Sequence, residues 1–355
     1  MALEALAVEV GKETAKELTK ALFRRLMGKL AHGVPSDFIR KVTCYNQGKV
    51  LEFWYHLGNY CKQNEKVEEI GRLQVGSEVK ITREEAKLLD KEIRELMKYR
   101  ENLLAILLEV YKENKNYILE YFKLRGKLYG RDETSPRVTI KVFVEENKVD
   151  YLLKDFFPNN ALSKPFHVEE NTAIEKVFDN QGYRALINDI PGFYEHEKRV
   201  YKNPRLDSKR VLRYSTSLVE KIKIGLHRKL TEKVYVDRDW KNCWIDGNET
   251  TDNAFYKSTM IIPMTLINNR IGEEFRRYLG IFLTSTKEEY IRAIYGFLCF
   301  DSVYTDFFDD TDEDMGYFFA DIFSLYLVPF RIKRLDLTKV VISNRNTRYG
   351  RENEK

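Results

Sequence analysis

Hydrophobic positions follow three different spacings along this chain. From Leu3 to Leu30 the leucines at 18, 22, 26 and 30 recur in four-residue steps among Lys16, Lys20, Arg24 and Arg25. That spacing predicts a basic amphipathic helix, a shape that docks on a partner, lies on a membrane surface or packs on its own protein. Packing is the favoured reading, because an apolar stripe usually marks a core face. Gly33, Pro35 and Asp37 break the pattern. A second helical stretch is predicted over roughly Gln47 to Gln63, with Trp54, Tyr55 and Tyr60. Gly71 and Gly76 predict a turn or short hairpin between Val67 and Ile81.

The longest periodic segment begins at Thr82, where Thr82 and Glu85 have capping-box spacing. Apolar residues recur at 89, 93, 96, 103, 107, 110 and 118, and no proline interrupts before Pro136. A helix running to about Leu128 would have ~47 residues and span ~70 Å. One small domain cannot bury that length, so coiled-coil pairing or antiparallel packing on the N-terminal helices is required. The heptad register of the apolar residues is too irregular to predict a regular two-stranded coil.

After the linker RDETSP (Arg131 to Pro136) the period drops to two. Val138, Ile140, Val142 and Val144 alternate with Arg137, Thr139, Lys141 and Phe143, which predicts a half-buried strand. Thr172 and Glu175 have capping-box spacing at the start of a short helix, NTAIEKVFDNQ. The strand YRALINDI (Tyr183 to Ile190) follows, then an irregular stretch from Pro191 to Trp244 that includes an amphipathic piece over Val219 to Leu230. Two apolar runs, YKSTMIIPM (Tyr256 to Met264) and IYGFLCFDS (Ile294 to Ser302), read as buried strands. The aromatic helix GYFFADIFSLYLVPF (Gly316 to Phe330) comes last. The fold class is therefore α+β: a helical N-terminal half with one long helix, then an antiparallel sheet flanked by helices.

Composition and charge refine this picture. At 355 residues, with 43% hydrophobic and 32% charged residues, the chain is long enough for two domains with real cores. The expected division is 1–131, 136–330 and a tail over 331–355. The tail holds eight basic and three acidic residues, so it carries the whole net charge of +5, and the rest of the chain balances. A basic tail reads as a solvated segment, or as one that touches nucleic acid. The longest apolar run, Leu103 to Leu108, has six residues, far short of the ~18 a transmembrane helix needs. With no continuous apolar stretch in the first thirty residues, and with Cys44, Cys61, Cys243 and Cys299 forming no CxxC pair, the expected location is the cytoplasm with reduced thiols.

Chemistry-bearing clusters are sparse. Asp310, Asp312 and Asp314 alternate like a calcium loop, with Asp321 at the twelfth place. However, Gly316 comes at position seven instead of six, so helix capping is the favoured role. His56 and Cys61 are five apart, which suits one helix face poorly for zinc. No Walker A, GxGxxG or GxSxG element is present, and no cofactor is indicated. Trp240 and Trp244 read either as a stacking wall for a planar ligand or as a fastening of the irregular segment to the sheet. Arg205, beside Tyr201, Lys202 and Asn203, reads as a carboxylate or phosphate clamp or as part of a turn at Asn203-Pro204. Asn188 and Asp189 end a strand, either at a pocket mouth or as turn formers before Pro191.

From Pro136 to Phe330 the order of elements resembles a GAF domain. Ser258 to Pro263 match a strand of the S-x-x-x-x-P kind. Gly296 and Asp301 match a strand that starts on Gly and ends on an acid, and Ala320 sits where the family often has a small residue. The resemblance is one of pattern over about 195 residues. The cyclic-nucleotide motif of the family is absent, as are a bilin-attachment cysteine with its histidine and the cysteine set of the methionine sulfoxide reductase branch. The resemblance implies a non-enzymatic sensor that binds a small molecule at Asn188, Asp189, Tyr201, Arg205, Trp240, Trp244 and Asp301. The helical region would then signal through homo-oligomer formation or partner docking. It equally allows a GAF-like fold that has lost its ligand and serves as an assembly surface within a multi-protein bacterial defence or signalling complex. A third reading is nucleic-acid binding through the tail.

Overall fold

The computed structural model describes residues 35–75, 83–126, 136–145, 147–151, 165–180, 182–192, 201–207, 240, 242–244, 255–267 and 292–328. Two compact units emerge: Met1–Tyr121 with Asp321–Lys355, and Phe122–Ala320. Helices dominate the N-terminal half, and an antiparallel sheet follows. The segment 3–30, the piece 219–230 and the tail 331–355 lie outside the described residues.

The first unit is built on two long helices, α1 (Ser36–Val75) and α2 (Arg83–Leu124). The α2 helix agrees with the sequence reading. The α1 helix corrects the first part of the turn or hairpin expected over Val67 to Ile81, because the chain stays helical to Val75; residues 76–82 lie outside the described residues. One glycine costs a helix about 1 kcal/mol, which burial of neighbouring turns offsets; Val67, one turn earlier, is fully buried. The expected irregular register holds in part: buried positions on both helices include a run with regular spacing and others off it, such as Thr43, Gln63, Ile106, Ile118 and Phe122. The regular run of buried positions is 46, 50, 53, 57, 60, 64 and 67 on α1, and 103, 107, 110, 114, 117 and 121 on α2. These are alternating steps of four and three, the spacing of a coiled-coil seam. The seam was hidden because polar residues, Asn46, Asn64 and Asn114, occupy core positions.

Asn46 and Asn114 meet at one level of the seam. Each Nδ2 donates to the other's Oδ1, at 2.9 and 3.0 Å. Equal steps away from this pair bring Val50 level with Val110, Phe53 with Leu107 and Leu57 with Leu103, all buried. Lys41 pairs with Glu120, and Lys49 with both Glu52 and Glu109. Hydrogen bonds from Lys49 to Glu109 and Glu52 hold its ammonium well above the usual lysine range.

The second unit carries a six-stranded sheet made of β1 (Arg137–Glu145), β2 (Lys148–Tyr151), β3 (Phe166–His167), β4 (Ala185–Ile187), β5 (Ser258–Ile267) and β6 (Arg292–Ser302). Their order is β3-β2-β1-β6-β5-β4, with every neighbouring pair antiparallel. Register sets two kinds of row across the sheet. Val138, Phe300 and Met260 line up on one face, as do Ile140, Leu298 and Ile262. On the other face Thr139, Cys299, Ile261 and Ala185 form a row, beside Arg137, Asp301, Thr259 and Ile187.

Both faces are covered, so β1 is not the half-buried strand its alternation predicted. Residues 138 to 143 are all buried, and Val144, 42% exposed, turns outward. A strand with β2 and β6 on either side, in a sheet packed on both faces, loses the polar face that period two implies. The helix α4 (310–328) covers the Met260–Ile262 face through Gly316, where an added Cβ would stand 2.6 Å from Ile262 Cγ1. The short helix α3 (Thr172–Asp179) belongs to the apolar cluster of the opposite face. Its cap is Asn171, whose Oδ1 accepts from the amides of Ala173 and Ile174, both at 3.2 Å. The expected cap, Thr172, instead turns its Oγ1 to the Lys202 amide and accepts from it at 2.8 Å.

Candidate functional site

The described pieces of the irregular segment join the apolar cluster on the face that carries α3. Residues 201–207 and 242–244 come together there through a bridge between Leu206 and Trp244 and a hydrogen bond from the Asp207 amide to the Cys243 carbonyl, 2.9 Å long. The Thr172 amide donates to the Lys202 carbonyl at 3.0 Å, which ties the segment to the start of α3. Four of the seven candidate residues therefore share one locality: Tyr201, Arg205, Trp240 and Trp244.

The two tryptophans are core residues. Trp240 and Trp244 are 0% and 1% exposed, and their rings pack edge to face with centroids 6.1 Å apart. Trp244 also packs on Tyr256 at 4.5 Å. Trp240 Nε1 donates to the Tyr256 carbonyl at 2.8 Å. Tyr201, Cys243, Ile187 and Phe297 belong to the same buried cluster. Of the two roles considered for this pair, fastening the segment to the sheet is the one this packing performs.

A polar rim surrounds the aromatic cluster. Asn203 Nδ2 donates to Tyr256 Oη at 2.6 Å, and the Tyr201 and Tyr256 hydroxyls lie 3.4 Å apart. Asn203 Oδ1 accepts from the Arg205 amide at 2.9 Å, which closes a local turn. The Arg205 guanidinium lies over the Trp244 ring, 5.7 Å from its centroid, at cation–π range. Trp244 Nε1 is buried with no hydrogen-bond acceptor among the described residues. Tyr256 is the centre of this network, and the sequence reading passed over it as the start of a strand.

The remaining candidates serve the backbone or the sheet. Asn188 Nδ2 donates to the Phe308 carbonyl at 2.7 Å, and its Oδ1 accepts from the Phe308 amide at 3.3 Å. Asp189 Oδ1 accepts from the Gly192 amide at 2.9 Å. Asp301 accepts from Thr259 Oγ1 at 2.8 Å and lies 3.7 Å from Arg137 Nε. In the same face Cys299 is fully enclosed, and burial pushes its thiol up to about 11.

The acidic segment caps α4. Asp309 Oδ1 accepts from the amides of Thr311 and Asp312 at 3.0 and 3.3 Å, while Asp312 Oδ2 accepts from the Asp309 amide at 2.9 Å. Arg184 holds Asp310 at 2.6 Å and also pairs with Glu313. An open cleft of about 510 Å³ runs along this region, lined by Asp179, Asn180, Tyr183, Arg184 and Glu313. It shares no lining residue with the tryptophan cluster. Among the described residues no group of three or more His, Cys, Asp or Glu side chains is placed to hold a metal ion, and no helix is long and apolar enough to cross a membrane.

No protein-family model, no curated protein and no solved structure matches this chain.

Proposed function

We propose that this chain is a non-enzymatic assembly or regulatory component. Its GAF-like sheet unit is filled from within and acts as a protein-binding surface, and its helical unit drives oligomer formation or partner docking. One observation carries this reading: Trp240 and Trp244, the best ligand wall in the sequence, are closed against each other and Tyr256. A sensor pocket needs a concave apolar wall with convergent polar groups, and here the wall faces its own side chains. The GAF-like part of the reading rests on the sequence resemblance at Ser258 to Pro263, Gly296 and Asp301.

Small-molecule sensing is the second reading, supported by the Trp244 indole N–H, which is buried without an acceptor among the described residues. A ligand carbonyl or carboxylate there, with Arg205 alongside, would complete it. Thermal melts against a panel of nucleotides and metabolites separate the two. The assembly reading expects no shift with any of them. A saturable rise in Tm that disappears in Arg205→Ala would overturn it in favour of sensing.

A further inference from the structure

The α1 helix carries a second seam on the side away from its buried one. Cys44, Gly48, Leu51 and Tyr55 follow steps of four, three and four, the same coiled-coil spacing as the core seam. All four are exposed, Leu51 by 60% and Tyr55 by 63%, and an added Cβ at Gly48 would meet nothing within 4 Å. Two large apolar side chains in heptad register on an open helix face require a partner to leave water.

We propose that this seam pairs with the same seam of a second copy, the two α1 helices running antiparallel about a two-fold axis. The sequence of the seam is self-complementary only in that direction. Its first half is small, Cys44 and Gly48, and its second half is large, Leu51 and Tyr55. Antiparallel pairing sets Gly48 opposite Leu51 and Cys44 opposite Tyr55, each twice, so a large side chain meets a gap at every level. The ends agree in charge. Asp37 lies one heptad before Cys44 and Lys62 one heptad after Tyr55, both exposed, and the two-fold places each opposite the other. Parallel pairing would stack Tyr55 on Tyr55, Asp37 on Asp37 and Lys62 on Lys62. A contact in which one patch meets itself closes as a dimer and does not propagate. The inference rests on the oligomer-forming role proposed for the helical unit, and it does not depend on the reading of the sheet unit.

Disulfide trapping tests the geometry on the full chain. A Cys61→Ser background leaves Cys44 as the exposed thiol, since Cys243 and Cys299 are buried. The two Cys44 residues of the antiparallel pair would stand about 16 Å apart along the axis, eleven residues at 1.5 Å each, too far to join. Adding Tyr55→Cys should let a mild two-electron oxidant such as diamide, which takes up both thiol protons, link Cys44 of one copy to position 55 of the other. The mass on a non-reducing gel should double, while the background alone stays single. In sedimentation the unmodified protein should be a dimer, and Leu51→Glu should make it a monomer with unchanged far-UV circular dichroism. Efficient linkage through Cys44 alone would mean a parallel arrangement and overturn the proposal. So would a monomer at every concentration, the result expected if residues 3–30 of the same chain cover the seam, or a dimer that survives Leu51→Glu.

Discussion

The side-chain amides of Asn46 and Asn114 exchange two hydrogen bonds within the α1–α2 seam. Each Nδ2 also donates to the carbonyl one turn back on its own helix, that of Val42 at 2.9 Å or of Val110 at 2.8 Å. Tyr326 Oη completes the set by donating to Asn46, 3.1 Å from its carbonyl and 3.2 Å from Oδ1. A satisfied polar pair inside an apolar seam adds little net stability but fixes alignment, because every slipped register leaves the amides unpaired.

Asn46→Leu or Asn114→Leu alone should therefore cost about 1–3 kcal/mol, since it strands the other amide in the core. The double variant should recover most of that loss and populate slipped registers. Urea denaturation of the three variants, with the broadening of amide NMR signals in the double variant, checks both halves of the prediction.

The tryptophans should separate by their hydrogen bonds. Trp240→Phe breaks the bond to the Tyr256 carbonyl, whereas Trp244→Phe removes an N–H that has no acceptor among the described residues. Both substitutions shrink the same core, so the excess cost of Trp240→Phe should be about 1–2 kcal/mol. Equal melting temperatures for the two variants would contradict this assignment.

At the start of α4, Asp309→Ala removes the acceptor for two helix amides and should cost about 0.5–2 kcal/mol. Asp310→Ala removes a carboxylate that is 88% exposed and only one of two partners of Arg184. Its effect should stay within about 0.5 kcal/mol. Asp309 also pairs with Arg125 at 3.4 Å, so both variants lose a surface ion pair, and the difference between them in chemical denaturation isolates the capping contribution.

Alkaline pH should weaken the sheet unit through Cys299. Its thiol ionises near 9.0 when unfolded and near 11 when folded, because burial disfavours the thiolate. The folded form therefore keeps its proton while the unfolded form loses it. The contribution is whole below pH 9 and falls away as pH rises towards 11. Cys299→Ala should flatten the loss of Tm across that window. Below pH 9 the thiol should resist alkylation unless denaturant is present.

Gly296 allows a sharper test of the central strands. A Cβ there would stand 2.6 Å from Met264 Cε and 2.8 Å from the Lys141 carbonyl oxygen. The methionine tip can yield, but the β1 backbone cannot do so without disturbing its pairing with β6. Gly296→Ala should cost about 1–3 kcal/mol, measured by calorimetry against the unmodified protein.

Strands with strong punctuation were legible in the sequence. The runs at Tyr256 to Met264 and Ile294 to Ser302 became β5 and β6 because β-branched and aromatic residues, bounded by polar ones, have few other arrangements. Features decided by partners far along the chain were not legible. The α1–α2 seam contains three asparagines that a search for apolar residues skips. The cap of α3 moved from Thr172 to Asn171 because Lys202, thirty residues on, takes the threonine hydroxyl. For the candidate site, the nearness of Trp240, Trp244, Tyr201 and Arg205 was foreseen as a segment. The role of Tyr256, which joins the two pieces, depends on a fold that no local pattern encodes.

The register of β1 against β6 has a consequence for how the protein is made. Arg137 is matched with Asp301, 164 positions later, and β6 is the only described strand that joins β1 to β5. During synthesis from the N-terminus, β1 and β2 emerge as a hairpin, and β4 and β5 as a separate pair, with a missing strand between them. The ribosome must pass Ser302 before that gap can close, so the sheet is completed only after all six described strands have been made. Until then the inner edges of β1 and β5 lack a partner strand, and the nascent chain is most exposed to chaperones and to mispairing at that stage.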